Sequence, residues 1–290
     1  MPATRAHPLA LATLLLVAAG CAKAVNYPGP SGPLHTVTRA AAPFPPPPPG
    51  RGPLRIVSFN VAYAIEIERA IEVLLLSEPL RGADVVALQE MDAPGTERIA
   101  RALGMNAVYY PSGVHPKHER DFGCAILSPW PLEAPRKLIL PHGARVSGLI
   151  RAATSAVVVR GEERVRVYSV HLPSPAAISG GSRREQLRTL AADADSAGMP
   201  VVIAGDFNSY GKVEELERAG YAWVTRDAGG TTRLRLLGIP LRSLRYDHIL
   251  ARGLRGAGPD STGVVADNRG ASDHRPVWAV LTSAPVTTSR

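Results

Sequence analysis

Cysteine is nearly absent: Cys21 and Cys124 are the only two in 290 residues, which rules out a disulfide framework and a thiolate zinc centre. No closely spaced histidine pair replaces them. Aromatic residues are 5% of the chain, sparse material for stacking single-stranded bases. No Gly-x-Ser-x-Gly elbow or cysteine motif supplies a protein nucleophile, so any hydrolysis must use water. Acidic residues are missing before position 54, and this skews the charge. The formal +8 suggests a nucleic-acid partner, yet Arg5, Lys23, Arg39, Arg51 and Arg290 lie outside residues 54–284. There, 28 basic residues face 25 acidic ones, an ordinary balance. One local excess remains, nine arginines against five aspartates over 226–275, readable either as a phosphate-binding rim or as a solvated face.

The first fifty residues differ from the rest. Arg5 and His7, an apolar stretch from Leu9 to Ala19, and Ala18-Ala19-Gly20-Cys21 describe an export signal too short to span a bilayer. The four-residue end resembles a bacterial lipobox, although Ala18 stands where leucine is usual. Cleavage would give a signal peptide of residues 1–20 and a lipid on Cys21, placing the protein in the bacterial cell envelope. Residues 21–53 are rich in Pro and Gly, include Pro45 to Pro49, and read as a disordered tether; residues 285–290 read as a disordered tail. With Cys21 acylated, Cys124 is expected to be a small buried hydrophobe.

Residues 54–284 show no repeat and no internal linker, so one catalytic domain is expected. Strands are predicted at 54–60, 84–89, 107–110, 123–128, 137–140, 151–159, 165–171, 201–204, 246–251, 263–266 and 277–281. Helices are predicted over 65–80, 96–103, 182–197 (with Ser182 as N-cap and Glu185 completing a capping box) and 213–219. Consecutive strands with a few interleaved helices point to an α/β fold, two mainly antiparallel sheets face to face with helices on their outer faces.

Polar residues sit beside the apolar strand runs: Asn60, Glu90, His171, Asp206 with Asn208, Asp247, and Asp273-His274. Singly, each reads equally well as a turn or solvated residue; what needs explaining is the recurrence, because strand ends can deliver side chains from distant sequence to one edge. Asn60, Glu90, Asp206, Asn208 and Asp273 offer the oxygen donors that a hard divalent ion takes. Neighbours on a strand point apart, so Asp247 rather than Asp273 is the expected orienter of His274, and His248 is expected to be structural or exposed. Arg120 and Arg151 are candidate phosphate contacts, Arg183 a weaker one.

Seven segments, Ser58-Phe59-Asn60, Gln89-Glu90, Gly123-Cys124-Ala125-Ile126-Leu127, Ser169-Val170-His171-Leu172, Gly205-Asp206-Phe207-Asn208, Tyr246-Asp247-His248-Ile249-Leu250 and Ser272-Asp273-His274-Arg275-Pro276, resemble the endonuclease/exonuclease/phosphatase superfamily in order and spacing. The resemblance covers about residues 54–282. It implies a four-layer sandwich and Mg²⁺- or Mn²⁺-dependent hydrolysis of a phosphate ester, with one principal ion. It implies Glu90 as main metal ligand, helped by Asn60 and Asp273, Asp206 at the attacking water, Asn208 and His171 at the phosphate, and His274 paired with Asp247. Abasic-site endonucleases of this superfamily carry an acidic residue where Ala62 stands, which argues against that activity. A phosphodiester outside the cytoplasm (nucleic acid, phospholipid head group or small diester) is the expected substrate. The alternatives are a phosphomonoesterase and a non-catalytic surface module on the same fold. A monomer is expected, with no protein partner implied.

Overall fold

The structure, a computed structural model, describes residues 23–39, 52–236 and 239–284. In chain order the strands are β1 Val25–Asn26, β2 His35–Val37, β3 Leu54–Asn60, β4 Val85–Met91, β5 Asn106–His115, β6 Arg120–Ser128, β7 Leu132–Ile139, β8 Ala152–Arg160, β9 Glu163–His171, β10 Val201–Asp206, β11 Ala222–Trp223, β12 Thr232–Leu236, β13 Ile239–Leu244, β14 Asp247–Arg252, β15 Leu254–Gly256, β16 Thr262–Val264 and β17 Val277–Ser283. The helices are α1 Ile67–Leu76, α2 Ala93–Leu103, α3 Gly180–Asp195 and α4 Glu214–Arg218.

Two sheets form. One runs β1-β5-β6-β4-β3-β17-β15, with β2 on β5 and β16 on β17; the other runs β11-β14-β10-β9-β8-β7. β3 pairs with β4 in parallel, as β9 does with β10, and the remaining pairings are antiparallel. Strand alternation explains the layers. On β3, Ile56 enters the core between the sheets while Val57 and Phe59 enter a second core beneath α1 and α2. On β10, Val202 and Ala204 join that shared core while Val201 and Ile203 pack under α3 and α4. Both faces of each sheet are covered, so the strands read as continuous apolar runs rather than as alternating ones. The four-layer α/β arrangement is as expected.

The same geometry fixes the site. Where β3, β4, β9 and β10 finish, their antiparallel neighbours β17 and β14 begin, so Asp206 lies opposite Asp247 and Val277 opposite Ser58. Polar residues at six strand ends therefore share one edge. Beneath it a buried belt joins the sheets: Gln89 Nε2 donates to Ser169 Oγ at 3.0 Å, and Ser169 Oγ donates to Leu88 O at 2.9 Å.

Several boundaries differ from expectation. The first helix stops at Leu76 and a 3₁₀ turn, Glu78–Leu80, follows, because Pro79 cannot continue it. α2 begins three residues early, capped by Asp92, whose side chain accepts from Gly95 N–H at 2.8 Å. α3 also starts early: Ser179, not Ser182, is the N-cap, and Glu185 turns to His142 at 2.5 Å. Gly180 and Gly181 fill the first turn of α3.

The largest correction concerns residues 23–39, read as part of a disordered tether. β1 pairs with the far end of β5 (Val25 opposite Val114) and β2 with its start (His35 opposite Tyr109), covering an edge that would otherwise be open. Lys137, 4% exposed, pins the intervening loop by donating to Tyr27 O at 2.6 Å and Gly32 O at 3.1 Å. Lys137→Met is expected to cost about 1.5–3 kcal/mol, the range for hydrogen bonds made by a charged group. Limited proteolysis should then nick 23–39 before the core; unchanged melting and protection would refute this account. Cys21, the signal segment, the run Pro45 to Pro49 and the tail from 285 lie outside the described residues.

Candidate active site

Glu90 departs from regular strand geometry. The β4–β6 register shifts between Gln89 and Met91, and Glu90 has φ +59, a left-handed conformation that costs about 1–3 kcal/mol in a non-glycine residue. This bulge turns the carboxylate to the sheet edge, where Oε1 accepts from Asn60 Nδ2 at 3.2 Å and Oε2 from Tyr63 N–H at 3.0 Å. Ala62, Tyr63 and Ala64 all have positive φ, so a strained turn presents that N–H. Burial raises the Glu90 carboxyl, opposed by Arg151, the Asn60 hydrogen bond and His274; Asp273 adds to the rise.

Asp206 ends β10 and is 1% exposed. Its Oδ1 accepts Asn208 N–H at 2.7 Å, and its Oδ2 accepts Asn60 Nδ2 at 3.1 Å and Asn208 Nδ2 at 3.2 Å. Two imidazoles approach the same oxygen, His171 Nε2 at 3.3 Å and His274 Nε2 at 3.7 Å. Burial pushes the Asp206 carboxyl up to about 7, with Asp247 and Glu90 adding and His274 and the Asn208 N–H opposing.

His274, in the loop before β17, lies between two carboxylates, with Nδ1 2.8 Å from Asp247 Oδ2. Burial would push the imidazole down, but Asp247 and Asp206 outweigh it and hold its pKa at about 10. His274 is therefore a cation with a proton on each nitrogen at neutral pH. Asn268 Nδ2 bonds to the carbonyls of Ser272 and His274 and fixes this loop.

His171 is the opposite case. Burial lowers its pKa well below the ordinary value, and Arg151, His274 and His115 lower it further. Arg151 Nη1 stands 3.2 Å from His171 Nδ1, and a guanidinium only donates, so Nδ1 accepts and the proton is on Nε2, facing Asp206. One site thus holds a neutral and a charged histidine, both with an N–H directed at a common point.

Most of the expected residues meet: Asn60, Glu90, Arg151, His171, Asp206, Asn208, Asp247 and His274 form one continuous network. Asp273 stands at its exposed rim, bonded to Ser272 Oγ at 3.4 Å and felt electrostatically by Glu90 and Tyr63. Arg120 forms an ion pair with Asp92, the cap of α2, and its side chain stays 43% exposed. Arg183 is buried, its guanidinium donating to Phe207 O at 2.5 Å and Pro173 O at 2.6 Å. His248 is buried, edge-on to Trp223 at 4.8 Å, and burial pushes it down to about 4. Cys124 is a buried hydrophobe, its thiol pushed up to about 12 by burial.

Sequence reasoning missed an aromatic wall beside Glu90. Tyr63 stacks on His118 at 3.9 Å and meets His115 at 4.9 Å; Phe122 lies 5.6 Å from His171 with Arg151 over its ring at 4.6 Å. These residues come from three elements, and no local pattern announces them.

Asp206, Asp247 and His274 each present a ligand atom, all within 4.8 Å of one another. An ion there would have to displace the protons of a strongly held imidazolium. The Glu90 side chain, 13% exposed and next to the Asp273 carboxylate, is the more open oxygen site.

The fold recurs among solved structures. An endonuclease/exonuclease/phosphatase from Beutenbergia cavernae DSM 12333 matches at TM-score 0.63 and 22% identity, over 81% of this chain and 72% of that one. D. rerio TDP2 complexed with single strand DNA product matches at 0.61 and 18%, over 80% and 99%. Sphingomyelinase C from Streptomyces griseocarneus matches at 0.54 and 19%, over 79% and 99%. Among curated proteins no relative matches the sequence. The model of the Endonuclease/Exonuclease/phosphatase family matches residues 57–274, a span that runs from β3 to His274, and the chain belongs to that family.

Proposed function

We propose that the chain is a divalent-metal-dependent phosphodiesterase, exported and held at the bacterial cell envelope through a lipid on Cys21. The observation that carries the chemistry is the crowding of Asn60, Asn208, His171 and His274 donors around Asp206 Oδ2. Such donors suit an anionic phosphoryl group, and a carboxylate poised near neutral pH suits proton transfer. The Cys21 anchor rests on the sequence pattern.

Glu90, with Asn60 and Asp273, would hold Mg²⁺ or Mn²⁺; oxygen donors, an opening to solvent and mutually repelling carboxylates fit a hard cation that keeps several waters. When bound, the ion supplies charge for the phosphoryl and leaving oxygens. The chain supplies the rest. His274 and His171 N–H groups and the Asn208 amide orient the phosphate, and Asp206 takes the proton of the water that attacks phosphorus as the bond to the leaving oxygen breaks. The buried surroundings of Asp206 exclude other water.

Release of p-nitrophenol from bis-p-nitrophenyl phosphate should require Mg²⁺ or Mn²⁺ and stop on chelation. Glu90→Gln, which keeps the shape and loses the charge, should raise the half-saturating ion concentration at least tenfold. An inert wild type across both ions would overturn the assignment.

A further inference from the structure

Immediately beyond Asn208 the chain opens into a cavity of about 640 Å³ between α3 and the turn leading to α4. Pro175, Ile178 and Leu187 give it an apolar side. Tyr210, half exposed, also lines it and lies edge-on to Tyr246 at 5.9 Å, which itself precedes Asp247.

Four polar side chains that line this cavity, Ser209, Arg184, Lys212 and Glu214, have no hydrogen-bond or ion-pair partner among the described residues. Ser209 is 4% exposed and lines it, yet its Oγ has no hydrogen-bond partner, a costly state unless a ligand completes it. Arg184 and Lys212 also line it, are exposed, and make no ion pair among the described residues. The other cations are engaged: Arg183 braces Phe207 O, and Arg218 shares Glu215 with Arg188. The free charge in this cavity is two cations, Arg184 and Lys212, against the one carboxylate of Glu214.

We infer that this cavity is a second-phosphate subsite for a nucleotidyl substrate: Arg184, Lys212 and Ser209 take the next phosphate while a base packs on Ile178, Leu187 and Tyr210. The inference rests on the phosphodiesterase reading. The net positive charge disfavours a choline-type head group, whose quaternary nitrogen would meet two unpaired cations against one carboxylate. A cavity of this size holds one nucleotide unit.

The test is calorimetric binding of thymidine 3′,5′-bisphosphate and thymidine 5′-monophosphate to the full chain, so turnover is not needed. The bisphosphate is expected to bind at least tenfold tighter, and the Arg184→Gln/Lys212→Gln double variant should remove most of that advantage. Ser209→Ala should reduce it severalfold. Equal affinity for the two nucleotides, or an advantage that survives the double variant, overturns the subsite; inositol 1,4-bisphosphate binding as tightly as the thymidine compound overturns the nucleotidyl assignment. A protein that hydrolyses bis-p-nitrophenyl phosphate without this discrimination loses only the subsite. One that binds as expected but hydrolyses no diester loses only the activity.

Discussion

His274→Ala is expected to lower kcat on bis-p-nitrophenyl phosphate by about 10³ to 10⁴, the range for a lost acid–base or charge-stabilising group. The imidazole is 6% exposed and its loop is bonded through Asn268, so truncation should remove chemistry more than fold. Asp247→Asn separates charge from presence. The imidazole stays, but the first of the two carboxylates that hold it at about 10 is gone. An imidazolium required for activity sets an alkaline limb near pH 10 in the wild type, and the substitution should move that limb down by a unit or more while kcat falls. The sign follows from linkage: the folded value lies above the ordinary 6.5, so the stability this group contributes is full below 6.5 and lost as pH rises toward 10. A limb left near 10 in Asp247→Asn, with kcat within a few fold, would refute the pairing.

That pairing was legible in sequence because strand ends are. Each polar residue follows or precedes an apolar run, and the alternation rule already excluded Asp273 as the orienter of His274. Glu90 was legible as a residue but not as a bulge, since φ +59 leaves no mark in the sequence. Arg151 is legible only as a candidate phosphate contact, not as the partner of His171. It reaches His171 because β8 and β9 set Thr154 opposite Ser169, a register that strand propensity does not specify.

Other features escaped for different reasons. The strands β1 and β2 are two and three residues long in a Pro- and Gly-rich segment, and the open edge of β5 rather than their own propensity makes them strands. The aromatic wall is four residues drawn from a chain poor in aromatics, assembled by β5, β6 and the strained turn after β3. The cavity beside Asn208 was invisible for the same reason, being the gap between α3 and a turn. Arg183 read as a phosphate contact and proved to be the brace that holds the Asp206–Asn208 turn against Pro173.

Asp206→Asn should combine the loss of proton acceptance, about 10³ in kcat, with an unusual stability profile. The wild-type carboxyl lies near 7 in the fold against 3.8 in an open chain, so between those values the folded state keeps a proton that the unfolded state releases. The Asp206 contribution to the stability of the metal-free protein therefore falls as pH rises from about 4 to 7, and the His274 contribution falls over the next three units. Most proteins lose stability toward acid, whereas these two groups pull the other way. Asparagine cannot titrate, so its cost or benefit from meeting the Asn60 and Asn208 amides is the same at both pH values and cancels in the comparison. The stability difference between variant and wild type should accordingly be more favourable to the variant at pH 8 than at pH 5, by about 2–4 kcal/mol for a shift of this size. Denaturant melts of the chelated protein at the two pH values give that double difference directly. Adding Mg²⁺ should then stabilise the wild type most at pH 8, where a cation beside Glu90 relieves the carboxylates that burial strains. A double difference near zero would mean that Asp206 is ionised throughout, and would refute the burial-raised carboxyl.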